Sequence, residues 1–274
     1  MNVLKLAAQE IRVGLRNRWV VATTVLLAAL SLSLVLLGSA PTGVVKADPL
    51  AVVVVSLASL TIFLVPLIAL LLSFDAIVGE HERGTLMLLL AYPVARWQVV
   101  VGKALGQSSI LAIATVLGYG VAAAALSMRS GIGAPAWSAF VAMVLTSAML
   151  GAAFVSMGVL ASTLVRERAT AAGLAVGLWL LFVLLYDTAL LGILVADKGR
   201  YVTQDVLNLA LLLNPADVYR IFNMTANDGV AVYSGLAGPG NAAPPPPALL
   251  FAVLAAWVVA PLALAVLAFR RKPI

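Results

Sequence analysis

Cysteine is absent from the 274 residues, so the chain can build no disulfide framework, thiolate metal site or cysteine nucleophile. Histidine occurs once, at His81. Charge is scarce as well: Asp, Glu, Lys and Arg make up 10% of residues, against about 25% in soluble domains. The phosphate-loop pattern G-x-x-x-x-G-K-[ST] is missing, because Gly102-Lys103 has no glycine five residues ahead of it. If ATP drives this protein, another chain hydrolyses it. A serine–histidine pair fails because His81 lies alone in a polar loop. An aspartyl protease needs two carboxylates sharing one site, and Tyr186-Asp187 has no second acid in the other apolar runs. Met143, Met149 and Met157 fall in one run, where methionine more often fills packing gaps than binds soft metal. These absences exclude most enzyme classes and leave no metal site.

What remains is apolar: 63% of the residues are hydrophobic and the mean hydropathy is +1.10. Six stretches approach or exceed the roughly 20 apolar residues that cross a bilayer. They run Trp19–Leu37, Leu50–Ser73, Val99–Leu126, Trp137–Leu164, Ala169–Val195 and Ala248–Phe269. The composition predicts an all-α polytopic protein forming a single transmembrane domain over residues 1–274. Residues 1–18 read as an interfacial helix. Leu4, Ala7, Ala8, Ile11 and Leu15 share one face, and Lys5, Gln9, Arg12 and Arg16 the other.

Basic residues set the orientation. Lys5, Arg12, Arg16, Arg18, Arg83, Arg96, Lys103, Arg166, Arg168, Arg270, Arg271 and Lys272 fall on one side. Only Lys46, Arg129, Lys198, Arg200 and Arg220 fall on the other. The positive-inside rule puts the first set, and both termini, in the cytoplasm. The net charge of +6 is thus a topology signal and not a nucleic-acid patch. The opposite side has short loops near Pro41–Pro49 and Ser127–Pro135 and a long one over 196–247. In the long loop, Val206–Leu213 is too short to span and reads as re-entrant or interfacial. The run to Pro247 reads as a stiff connector or a docking surface.

The charged segment Asp75–Arg96, which carries Asp75, Glu80, Glu82 and the sole histidine, His81, lies between two spans. It reads as one helix or two short helices. Ile77 and Val78 are placed toward the bilayer; Glu80, Glu82 and Arg83 face water, with Glu80–Arg83 an i,i+3 pair. Gly84 interrupts the helix, Thr85 is a cap for the next turn, and Tyr92-Pro93 ends it. Elsewhere, Asp187 is a candidate cavity-lining acid. Gly173-x-x-x-Gly177 is a candidate helix–helix interface, within the bundle or between protomers. Pro66 can bend the span that feeds the polar segment.

Glu82-Arg-Gly84-Thr85-Leu86, followed by Leu89-Leu90, Pro93, Arg96 and Gly102-Lys103, resembles the membrane permeases of the second class of ABC exporters. The likeness extends over the whole chain. The fuller form Glu80-His-Glu-Arg-Gly-Thr-Leu with Tyr92-Pro-Val-Ala-Arg96 is similar to permeases of nitrous-oxide reductase maturation systems. The resemblance implies a non-catalytic subunit of a bacterial inner-membrane complex, with no cofactor of its own and ATP-Mg held on a partner. It makes the segment 75–96 a coupling helix. Glu80, His81, Glu82, Arg83, Gly84, Thr85, Pro93 and Arg96 would then meet a cytoplasmic ABC ATPase. The implied partners are that ATPase, a second permease copy, an extracytoplasmic β-helical protein and a copper chaperone lipoprotein. A drug, lipid or peptide exporter and a non-energised membrane scaffold are the competing readings.

Overall fold

The computed structural model describes residues 3–37, 49–91, 94–128, 134–197, 203–225 and 245–272. All regular elements among them are helices, as lipid requires of a backbone that must satisfy its own hydrogen bonds. Helix α1 (Val3–Leu15) meets α2 (Arg18–Leu37) at a bend of 69°. The chain continues through α3 (Pro49–Ser73), the short α4 (Val78–Glu82) and α5 (Thr85–Leu90), and the long α6 (Arg96–Ser127) and α7 (Ala134–Leu164). Next come α8 (Arg168–Trp179), a π-helical segment Leu180–Leu185 and α9 (Tyr186–Asp197), which form one run. Helices α10 (Gln204–Leu212), α11 (Pro215–Thr225) and α12 (Pro247–Arg271) complete the order.

Among the described residues, five runs are long and apolar enough to cross a membrane, and α2 makes a sixth when its bend from α1 is allowed. The 32 residues of α6 reach about 48 Å, well beyond the roughly 30 Å hydrocarbon layer. Its first turns pack against α1. Helix α7 lies at the centre, packed against α3, α6, α8, α11 and α12. Met143, Leu150, Phe154 and Val155 of α7 are completely buried there.

The face that α1 buries differs from the one its apolar spacing suggests. Leu6, Ala7 and Gly14 pack inward, while Leu4 is 76% exposed and Leu15 also faces out. The explanation lies in α6. A methyl group at Gly102 would stand 2.7 Å from Leu6 Cβ, and one at Gly106 would stand 2.4 Å from Glu10 Cβ. Gly102-x-x-x-Gly106 is thus the small-residue seam that admits a neighbouring helix. Gly173-x-x-x-Gly177 packs against none of the described residues, since a methyl group at either glycine would meet none of their atoms within 4 Å. The run carrying it is the least buried of the five.

The described part of the segment between the fifth and last spans folds back onto them. Helix α11 packs on α3, α7 and α12. Tyr219 is fully buried, its hydroxyl 2.9 Å from Ser147 Oγ, and Asn223 Nδ2 donates to Thr146 Oγ1 at 3.0 Å. The break at Asn214-Pro215 is a joint: buried Asn214 donates to the Phe182 carbonyl in the π segment and to Asp217 Oδ2, both at 2.9 Å. A π turn leaves a carbonyl to be satisfied from outside the helix, and Asn214 supplies the donor. Asn214→Ala leaves that carbonyl and Asp217 short of a partner at a cost of about 1–3 kcal/mol, which a lowered Tm in detergent should show. The proline-rich residues 238–244, with Lys46, Arg129, Lys198 and Arg200, lie outside the described residues.

Candidate functional site

The segment after α3 is held by its backbone before its side chains matter. The N–H groups of Ile77 and Val78 both donate to Ser162 Oγ near the end of α7, each at 3.0 Å. Both side chains are fully buried in protein, so neither faces the bilayer as the spacing suggested. Helix α4 closes at Arg83, and Gly84 takes a left-handed φ of +72°. A side chain at Gly84 would meet open space, so only the backbone demands glycine, by roughly 1 kcal/mol. Thr85 does not cap α5. Its Oγ1 donates back to the Glu80 carbonyl at 3.3 Å, and Gly84 occupies the cap position.

Two turns into α6, Lys103 is buried between two carboxylates. Its Nζ stands 2.7 Å from Glu10 Oε1 on α1 and 2.6 Å from Glu80 Oε1 on α4. Glu80 therefore points into the protein, and the expected Glu80–Arg83 pair is not among the ion pairs of the described residues. The reason is the cost of burying an ammonium, which partnering with two carboxylates offsets. Glycines 102 and 106 bring α1 close enough for Glu10 to reach. One cation thus joins α1, the polar segment and the start of α6.

Arg168 pins the other flank. Its guanidinium pairs with Asp75 at 2.9 Å and lies 5.8 Å from the Phe74 ring centre, while its backbone N–H donates to Glu82 Oε1 at 2.7 Å. Glu82 thereby sits at the N-terminus of α8, where a carboxylate is favoured by the helix dipole. Arg96 turns toward the chain end instead of toward solvent. Its Nη1 donates to the carbonyls of Phe269, Arg270 and Lys272. Lys272 Nζ in turn donates to the carbonyls of Thr163 and Val165 at 3.0 and 2.8 Å. Partial burial, with Arg166 nearby, pushes the Lys272 ammonium below the usual lysine range. The starts of α1 and α6, the ends of α7 and α12, and the polar segment all meet at this end of the molecule.

A mixed strip is left facing outward. Glu82, Arg83, Gly84 and Thr85 are exposed, and His81 is half-buried. Beyond them Met87 is 60% and Leu88 68% exposed, while Leu86 is buried and anchors α5. Pro93 lies outside the described residues. The acids facing each other across Lys103, and the apolar pair at the tip, are what sequence reasoning missed. A lysine in an apolar run was the available signal for the first, because such a charge needs partners.

At the far end lies Asp187, the candidate cavity acid. It forms an ion pair with Arg220 at 2.5 Å, and Arg220 also reaches Asp217 at 3.2 Å. Tyr186 Oη donates to the Ala210 carbonyl at 2.6 Å. Together these contacts tie the fifth run to α10 and α11. No cluster of metal-ligating side chains occurs among the described residues.

The fold defines a polytopic helical membrane protein with a pinned, partly apolar segment at the end shared by the start of α6 and the end of α12. The profile of the ABC-2 family transporter proteins matches residues 4–273, and the chain belongs to that family. Within it, the chain is 42% identical over 274 residues to the probable ABC transporter permease protein NosY of Stutzerimonas stutzeri, covering 99% of each. It is 43% identical over 277 residues to the protein of the same name from Pseudomonas aeruginosa, again covering 99% of each.

Proposed function

We propose that the chain is the permease subunit of a NosY-type complex, driven through residues 75–96 by a separate cytoplasmic ABC ATPase (NosF-like) that binds ATP-Mg. The carrying observation is the Glu10–Lys103–Glu80 bridge. It gives a force applied at α4 a direct route into both α1 and α6. Met87 and Leu88 supply the apolar contact, and Glu82, Arg83 and Thr85 a polar rim. Both termini then lie in the cytoplasm of the bacterial cell. A second permease copy covers the exposed run 168–197, whose open glycines Gly173 and Gly177 suit close helix approach. An extracytoplasmic β-helical protein (NosD-like) meets the outer side, and a copper chaperone lipoprotein serves the same assembly. The complex supports maturation of the copper–sulfur centre of nitrous-oxide reductase.

Deleting the chain from a nitrous-oxide-respiring host tests this reading. The expected outcome is a reductase that accumulates without its copper–sulfur centre. A normal reductase combined with new drug or peptide sensitivity would instead favour the exporter reading. Within the complex, Glu82→Lys places a cation at the N-terminus of α8 and reverses charge on the docking rim. Co-purification of the ATPase with this variant should fall several-fold, and undiminished recovery would remove Glu82 from the contact.

A further inference from the structure

A groove of 410 Å³ opens between α6 and α12 on the outer face of the bundle. Its walls are apolar, with Trp97 and Val101 on one side and Val259, Leu262 and Val266 on the other. The sole charge lining it is Arg270, at the end of α12 beside Arg96. From Val259 to Arg270 the wall extends about 16 Å along the helix, which suits an acyl chain. Arg270 is exposed, has no ion pair among the described residues, and precedes the exposed Arg271. Trp97 is 40% exposed one residue into α6, at the level where amphipathic rings meet headgroups.

We infer that this groove is a binding site for an anionic phospholipid, with one acyl chain against α12 and the phosphate on Arg270. An apolar groove facing lipid is filled by tails of every kind. The cation at its mouth selects the headgroup by charge, because a juxtamembrane basic residue attracts anionic lipid. Such a lipid would brace α12 beside Arg96, which already holds that helix by its terminal carbonyls. This inference does not depend on the ATPase reading, and its test can fail separately.

The test is native mass spectrometry of the full chain, purified in mild detergent and incubated with equal amounts of phosphatidylglycerol and phosphatidylethanolamine. The chain should retain phosphatidylglycerol in preference. Arg270→Gln should reduce that preference about fivefold. Ala263→Trp, on an exposed wall position, should reduce retention of either lipid. Equal retention of both lipids, or full preference in Arg270→Gln, overturns the proposal. So does a symmetric disulfide formed by Ala263→Cys in membranes, which would mean that a second copy covers the groove. Arg270→Gln leaves the apolar wall intact, so it decides the matter if Ala263→Trp fails to fold.

Discussion

Lys103→Met should destabilise the permease by about 3–5 kcal/mol, the cost of leaving buried charge without its partner. The variant leaves Glu10 and Glu80 facing each other with no cation between them. Their side chains are only 26% and 21% exposed, so water screens the repulsion poorly. A lower Tm in detergent and reduced yield from membranes would register the effect. Stability alone does not separate a bolt from a transmitter. The triple variant Glu10→Gln, Lys103→Met, Glu80→Gln does, because replacing a whole buried ionic cluster by neutral groups is often close to neutral for stability. The triple variant should therefore recover most of the lost Tm. If the bridge transmits force from α4 to α1 and α6, stimulation of the partner ATPase by the permease should stay lost. Recovery of both together would reduce the bridge to a packing device.

The second large effect is expected at the tip of α5. Met87 and Leu88 are 60% and 68% exposed, on a segment that is otherwise pinned by Ser162, Lys103 and Arg168. Apolar side chains held out by a rigid support are suited to filling a partner's groove. The double variant Met87→Asp, Leu88→Asp puts two carboxylates in that groove. Its cost should exceed 2 kcal/mol, or about a thirtyfold loss of affinity for the ATPase. The fold should survive, since neither side chain is buried and Leu86, which anchors the helix, is untouched. An unchanged Tm with lost ATPase co-purification is the expected pair of results.

The helices were legible in the sequence because lipid leaves few alternatives. Each apolar stretch became a helix within a few residues of its expected ends, and the apolar stretch before Asn214 ended in the turn ahead of that residue. The polar segment was also legible, including the break at Gly84, where a single left-handed residue is required. Partnerships were harder to read. Glu80 looked exposed by position, but a lysine distant in sequence draws it inward. Arg96 looked like a docking residue, but the last span's carbonyls occupy it. Of two glycine pairs with identical spacing, Gly102 and Gly106 pack against α1 while Gly173 and Gly177 stay open. Spacing alone cannot say which seam finds a neighbour within the chain. Asp187 was readable as a costly charge, but its resolution by Arg220 needed the fold-back of α11.

The absence of cysteine makes the central claim directly testable. Leu88→Cys places one reactive thiol at the exposed tip of α5, and Leu209→Cys places one at an exposed position on α10, between the fifth and last spans. Each variant is co-expressed with the partner ATPase and treated with a short thiol-to-amine cross-linker. The account predicts a permease–ATPase product from Leu88→Cys and none from Leu209→Cys. No product from Leu88→Cys, or an equal product from both, would contradict it.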